Sequence, residues 1–244
     1  MKVVLITGSN KGIGYETARQ MASLGFQVIM SARNKKAGQI AAHKLRMDDL
    51  NVDFVALDVT SEKSIAEAVK FITKKYHRLD VLINNAGIQL DKNKVGNANT
   101  TLDITMDELH KTFDTNFFGM VSVTKAMMPL LKKSESGRIV NVSSILGSVN
   151  LHSNPESPIS GTKYFAYNAS KTAVNMFTIH LADALNTTKI KVNSAHPGWV
   201  KTSLGGANAV LETTEGAKTL IELATLGEDG PTGSFFHMGN VLPW

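Results

Sequence analysis

Short apolar runs alternate with helix-period segments along the whole chain, and several of those runs contain no polar residue at all, as in Val3-Val4-Leu5-Ile6 and Val81-Leu82-Ile83. A strand with one wet face alternates apolar and polar side chains; a strand covered on both faces does not. The pattern therefore predicts a parallel sheet between two helical layers, and right-handed crossovers make a doubly wound order the simplest topology. Strands are predicted at residues 3–7, 26–31, 52–57, 81–84, 138–142, 189–195 and 234–238. Helices are predicted at residues 15–24, 34–47, 61–76, about 107–128, 166–185 and 214–226, with a polar loop after Asn84. Gly25 closes the first helix, and Pro129 is expected to kink or end the fourth. Ser61 followed by Ser64 makes a poor capping box, although Glu62 suits a first helical turn.

No Pro/Gly/Ser tract divides the 244 residues, so one domain spanning 1–244 is expected. The hydrophobic share of 43% and charged share of 19% exclude a disordered chain. No apolar run reaches the length of a membrane span, and the first strand runs straight into a glycine turn with no cleavage site, so neither a membrane partner nor a signal peptide is expected. The absence of cysteine excludes disulfides, thiolate metal sites and a cysteine nucleophile. The seven histidines have no ligand spacing, so no metal is expected either. A cytoplasmic location follows as the default. The net charge of +5 is spread thinly, in pairs such as Lys35-Lys36, Lys74-Lys75 and Lys132-Lys133 that read as solvated helix faces, so no nucleic-acid partner is expected. The pairs Met127-Met128 and Phe117-Phe118 read as core.

The first strand ends in Thr7-Gly8-Ser9-Asn10-Lys11-Gly12-Ile13-Gly14. Glycines at 8, 12 and 14, between a strand and a helix, allow backbone N–H groups and a helix N-terminus to approach a pyrophosphate that a Cβ would hold away. The spacing Gly-x-x-x-Gly-x-Gly is neither Gly-x-Gly-x-x-Gly nor a phosphate loop, and a glycine turn can be only a turn, but its place between strand and helix predicts the first βα turn of a Rossmann fold. Folds that select NAD place an acid at the end of the second strand for the ribose 2′-hydroxyl; here the strand ends Met30-Ser31-Ala32-Arg33-Asn34. Arg33, with Lys11 in the adjoining turn, would attract a 2′-phosphate, which points to NADP(H); the alternative is two exposed loop charges. Asp58 ends the third strand, where it could accept from an adenine amino group or cap the next helix.

Tyr167-Asn168-Ala169-Ser170-Lys171 puts a phenol and an ammonium on one helix face. Bringing a tyrosine from pKa 10 to 7 takes about three pH units, roughly 4 kcal/mol, which a close lysine and a positive nicotinamide ring could supply. Taken alone, the pair could equally be an exposed helical couple. Asn84-Asn85-Ala86-Gly87, Ser143-Ser144 and Pro197-Gly198 each follow a predicted strand, at the carboxyl edge where such sheets bind ligands.

Together and in this order, Thr-Gly-x-x-x-Gly-Ile-Gly, Asn-Asn-Ala-Gly, Ser, Tyr-x-x-x-Lys and Pro-Gly resemble the short-chain dehydrogenase/reductase family over essentially the whole chain. The resemblance implies an NADPH-dependent oxidoreductase that reduces the carbonyl of a small ketone or aldehyde, or runs the reverse. In it Tyr167 is the general acid or base, and Lys171 holds the nicotinamide ribose and lowers the Tyr167 pKa. Ser144 orients the substrate, and Asn116 holds a water in the proton relay by distorting its helix. Cofactor binding falls to Gly8, Ser9, Lys11, Gly12, Ile13, Gly14, Arg33, Asp58, Val59, Asn85, Ala86, Gly87, Tyr167, Lys171, Pro197, Gly198, Val200 and Thr202.

Ser144 stands closer to the tyrosine in many members; here an extra segment at about 146–164 intervenes and resembles that of carbonyl reductase-like members. It implies a monomer or homodimer, and may be read as a substrate lid or a bland loop. Residues 199–211 contain Gly205-Gly206 and read as a substrate flap, with Trp199 either lining the pocket or in the core. The competing function is a catalytically silent NADP-binding redox sensor or regulatory protein.

Overall fold

The structure is a computed structural model and describes residues 1–91 and 99–244; the polar loop expected after Asn84 falls partly outside them. Strands β1 (Val3–Ile6), β2 (Gln27–Ala32), β3 (Val52–Ala56), β4 (Val81–Asn84), β5 (Arg138–Val142), β6 (Lys191–Ala195), β7 (Phe235–His237) and β8 (Asn240–Val241) form one sheet in the order β3-β2-β1-β4-β5-β6-β7-β8. β1 to β7 run parallel; β8 turns back antiparallel on β7. That two-residue edge strand carries no sequence signal of its own. The α/β doubly wound expectation holds.

Successive side chains of β1 enter opposite layers. Val3 and Leu5 pack with Ile65, Ile72, Val123 and Met127, whereas Val4 and Ile6 pack with Ala18, Met21, Leu45 and Leu220. Both faces are dry, which is why the run shows no alternation. Each fully buried aliphatic side chain contributes about 1.5–3 kcal/mol.

Helices α1 (Gly12–Ser23), α2 (Lys35–Met47) and α3 (Glu62–Tyr76) stand where predicted. Ser61 caps α3 after all, its hydroxyl accepting from the Ser64 N–H at 3.3 Å. The long fourth helix is three pieces: α4 (Met106–Phe113), a π-helical turn over Asp114–Gly119, and α5 (Met120–Leu131). Pro129 does not end it. The helix runs two residues further because Leu130 and Leu131 are buried in the core, which outweighs one lost backbone bond so near the end. The pair Phe117-Phe118 is only half core, since Phe118 is 56% exposed. The segment at 146–164 is not plain loop: a 3-10 turn over Ile145–Gly147 and a short helix α6 (Val149–Ser153) precede α7 (Phe165–Ala184). The last predicted helix is split into α8 (Thr213–Gly216) and α9 (Lys218–Ala224), at a glycine where a Cβ would meet the Val200 side chain at 2.6 Å. Among the described residues no helix is long and apolar enough to cross a membrane.

Near the carboxyl ends of the central strands, a band of polar side chains interrupts the apolar layer. Asn84, Asn141 and Ser194 are register partners on β4, β5 and β6. The Asn84 amide donates to Thr124 Oγ1 on α5 at 2.8 Å and to Asn141 Oδ1 at 2.9 Å. Asn141 Nδ2 and Ser194 Oγ both donate to Thr178 Oγ1 on α7, each at 2.9 Å. All five residues are buried, so each bond is expensive to leave unmade. The band sets the height of α5 and α7 against the sheet. Replacing Asn141→Leu strips Asn84 and Thr178 of partners together and should cost about 2–4 kcal/mol in urea unfolding; a loss under ~0.5 kcal/mol would show the band to be incidental.

Candidate active site

Because β1 leads outward to β2 and β3 and the chain then crosses back to β4, the loops after β1 and β4 diverge and leave a crevice. It is a cleft of about 1010 Å³. The turn after β1 and the Asn-Asn-Ala-Gly turn are tied together across it. Thr7 Oγ1 accepts from the N–H groups of Asn85 and Ala86 at 2.9 and 3.0 Å, and Asn85 Nδ2 donates to the Thr7 and Gly8 carbonyls at 2.9 and 3.0 Å. This close approach gives the glycines a packing role that the sequence did not show. A Cβ on Gly8 would lie 2.9 Å from Ala86 Cα, and one on Gly14 would lie 2.4 Å from Asn85 Nδ2. Those two glycines make room for the chain itself, and both line the cleft. Gly12, at φ +60°, keeps the turn left-handed before α1.

The predicted site residues gather on this cleft with two exceptions. Ser9 is wholly buried; its hydroxyl donates to the Ile6 carbonyl at 3.0 Å and accepts from the Ser31 N–H at 2.9 Å, holding the turn to β2 instead of facing a ligand. Asn116 sits in the π-helical turn behind the wall. Its Oδ1 accepts from Ile88 N–H at 2.8 Å, and its Nδ2 donates to the Ile88 carbonyl at 2.9 Å and to Ser170 Oγ at 3.0 Å.

At one end of the cleft the first turn of α1 has no side-chain cap, so its N–H groups are available to an anion. Arg33 is exposed and has no hydrogen bond or ion pair among the described residues. Lys11 instead reaches across to Ser203 Oγ at 3.0 Å, tying the first turn to the 199–211 segment. Asp58 accepts from the backbone and hydroxyl of Thr60 at 3.0 and 2.8 Å and does not cap α3, which Ser61 does. Gly8, Gly12 to Gly14, Arg33, Asp58 and Asn85 to Gly87 thus offer backbone donors, one free cation and one carboxylate along the wall, a set that fits a phosphorylated dinucleotide.

At the other end Tyr167 and Lys171, 8% and 4% exposed, come up from α7, which removes the exposed-couple alternative. Lys171 Nζ donates to the Val142 carbonyl at 2.7 Å and lies 5.6 Å from the centre of the Tyr167 ring. Ser144 caps the 3-10 turn, accepting from Leu146 N–H at 3.2 Å, and hydrogen-bonds Tyr167. Gly147 lets that turn lie on α7, because its Cβ would be 2.7 Å from the Lys171 carbonyl carbon.

The electrostatics run against the expected acidic phenol. Burial pushes Tyr167 up to about 12; the Ser144 hydrogen bond pulls it down, and the Asp91 charge adds to the rise. Burial also lowers Lys171 to about 8. Proximity on a helix face does not overcome desolvation here, and the ammonium is aimed at a carbonyl, not at the phenol oxygen. The protein's own groups keep the phenol protonated at neutral pH.

Leu146, Pro158, Ile159, Tyr164, Trp199 and Leu204 line the cleft beyond Tyr167. Trp199 is therefore no core residue: it is half exposed, and its Nε1 donates to the Gly205 carbonyl at 2.8 Å. The 199–211 segment is closed at its base, where Val200 bridges Leu211 and Lys201 pairs with Glu212. Sequence reasoning missed Thr7 as the tie between two loops, although it quoted the residue. It also missed His196, which burial lowers to about 3 with His237 adding to it, and which supports the Gly198 N–H at 3.4 Å. No spacing marked either, since Thr7 acts on the turn after β4 and His196 is buried against His237 of β7.

Residues 2–210 match the family described as short chain dehydrogenase. The chain is 35% identical to a short-chain dehydrogenase of Penicillium roqueforti over 92% of its length and 89% of that protein's. It is 33% identical to the mouse enzyme named carbonyl reductase [NADPH] 1, covering 99% of this chain and 98% of the other. It is 32% identical to (+)-neomenthol dehydrogenase of Capsicum annuum, covering 98% and 96%. Among solved structures, the NADPH-bound carbonyl reductase from chicken fatty liver superposes with a TM-score of 0.84 at 27% identity, and carbonyl reductase Sniffer of D. melanogaster with 0.84 at 30%, each over the full length of both chains. With the glycine turn, the Asn-Asn-Ala-Gly turn and the Tyr167–Lys171 pair assembled on one cleft, the chain belongs to the short-chain dehydrogenase family, among its carbonyl reductase-like members.

Proposed function

We propose that the protein is an NADPH-dependent reductase of the carbonyl of an uncharged ketone or aldehyde, able to run in reverse on the alcohol. The observation that carries this reading is the Tyr167 side chain, buried at the cleft wall beside Ser144 and Lys171, where burial favours the protonated phenol. A carbonyl oxygen near Ser144 would accept from its hydroxyl and take the proton of Tyr167 as negative charge develops on it. Bound NADPH would supply the hydride to the carbonyl carbon. Lys171, titrating at about 8, can hold or release a proton near neutral pH beside Tyr167. Asn116 lies where a π-helical turn loosens the regular backbone bonding, which suits a water on the path that reprotonates the phenol.

Arg33 is the group for the 2′-phosphate, since Lys11 is engaged with Ser203. The names of the mouse and chicken relatives, which carry NADPH, agree with that choice. Among the described residues of the 146–164 and 199–211 segments, none that lines the cleft is charged, which favours an uncharged substrate.

Tyr167→Phe should lower kcat on a panel of ketones and aldehydes by about 10²–10⁴-fold while NADPH binding survives; turnover at the parental rate would end the mechanism. In a silent sensor no member of the panel would consume NADPH at all. Arg33→Asp should cut the preference for NADP over NAD by about tenfold to a hundredfold, the worth of one charge-assisted contact, and an unchanged preference would refute the phosphate assignment.

Lys171 also links function to stability. Its folded pKa of about 8 lies below the ordinary 10.5, so the folded state binds fewer protons between those values and stability rises with pH across that window. Below it the buried charge costs up to about 3 kcal/mol. Lys171→Met should therefore be more stable than the parent at pH 7, flatten the rise between pH 8 and 10.5, and lose activity. Equal stability with an unchanged pH slope, measured by urea unfolding, would contradict this.

A further inference from the structure

Asp91 is an acidic side chain buried beside Tyr167 that nothing in the proposed machinery uses. It is 3% exposed. Its Oδ2 accepts from the backbone N–H of Tyr167 at 3.3 Å and from the Thr100 hydroxyl at 3.4 Å. Thr100 Oγ1 in turn accepts from the Phe165 N–H at 3.0 Å, and the Thr100 N–H donates to the Lys163 carbonyl at 3.0 Å. Tyr164, at the N-cap of α7, offers no side-chain acceptor. The helix that carries Tyr167 and Lys171 is thus started by a carboxylate and a hydroxyl brought in from the loop that follows Asn-Asn-Ala-Gly.

Capping alone does not call for a charge. An amide or hydroxyl oxygen satisfies a helix N–H, and asparagine caps as well as aspartate. Among the described residues Asp91 Oδ1 has no hydrogen-bond partner, so half the carboxylate is desolvated with no compensation from them. The helix N-terminus repays part of that. The rest acts on what lies beside it. The groups facing Tyr167 are the Lys171 ammonium on its own helix, the Ser144 hydroxyl after β5, and Asp91 from the loop; the Asn116–Ser170 contact from the π-helical turn brings no charge. Lys171 and Ser144 favour the phenolate, and Asp91 opposes them.

Resting on the reading of Tyr167 as the acid, we infer that Asp91 is a positioning residue for proton transfer: it pins the start of α7 and, through its charge, holds the phenol in the protonated form that can donate to a carbonyl oxygen. The direction of its effect on Tyr167 agrees.

The test is the pH profile of kcat/KM for NADPH-driven carbonyl reduction in the full chain. Lys171 sets the lower alkaline step, and the upper alkaline limb, the one read here, marks loss of the phenol proton. Asp91→Asn keeps an acceptor for the Tyr167 N–H but removes the charge, so this limb should move to lower pH by about 0.5–1.5 pH units. Asp91→Glu, which restores the charge, should return the limb to the parental position even if kcat is lower. Asp91→Ser, whose hydroxyl can also accept from the helix, serves in place of the amide should that variant not fold, with the same expected shift. A uniform fall in kcat with the limb unmoved in the neutral variants would overturn the inference, leaving Asp91 a structural cap. Tyr167→Phe separates the two readings: if it abolishes turnover while the limb stays put in Asp91→Asn, this inference fails alone, and if it turns over normally, both fail.

Discussion

The site depends on the contact between the turn after β1 and the turn after β4. Four hydrogen bonds join Thr7 and Gly8 to Asn85 and Ala86 across the point where the strand order reverses, and Gly8 and Gly14 let the two turns come within van der Waals distance. Without that tie the carboxyl ends of the two strands would diverge freely, as the topology dictates. With it, the crevice has a fixed floor. One wall is the uncapped start of α1, and the other is built from the loop after β4 and the helix it docks on. The glycine motif is thus first a requirement of packing, and the room for a phosphate follows from it.

The same economy holds on the far side. The polar band of Asn84, Asn141, Ser194, Thr124 and Thr178 fixes α5 and α7 just below the carboxyl edge. Asn116 and Asp91 then fasten the loop after β4 to α7 from two directions, through Ser170 and through the Tyr167 backbone. Buried polar groups are costly unless paired, so each bond that places Tyr167 also resists its displacement. Burial then sets the chemistry: water is withdrawn from the phenol and the ammonium alike, and their pKa values move apart, to about 12 and about 8, in the sense that disfavours both charges.

Much of the frame could be read from residues near one another in the chain. Unbroken runs such as Val3 to Ile6 announced a strand covered on both faces, and the glycine turn, the Tyr167–Lys171 spacing and the serine at the end of β5 announced where chemistry would sit. Local patterns misled where distant packing decides. Pro129 was expected to kink or end a helix that two buried leucines prolong. Ser9, inside the glycine turn, faces β2 and not the cleft. Lys11, expected to share a phosphate with Arg33, is held by Ser203 from the far end of the chain.

The order of residues alone thus determined the alternating elements, the parallel sheet and the identity of the groups at its carboxyl edge, because hydrophobic period and turn chemistry act over a few positions. The tertiary structure decided the protonation of Tyr167 and Lys171, the partner of Lys11 and the presence of Asp91 at the Tyr167 backbone. Desolvation and hydrogen bonding at those places depend on which atoms, 76 or 192 positions apart, come within 3 to 4 Å, and no local pattern encodes such a meeting.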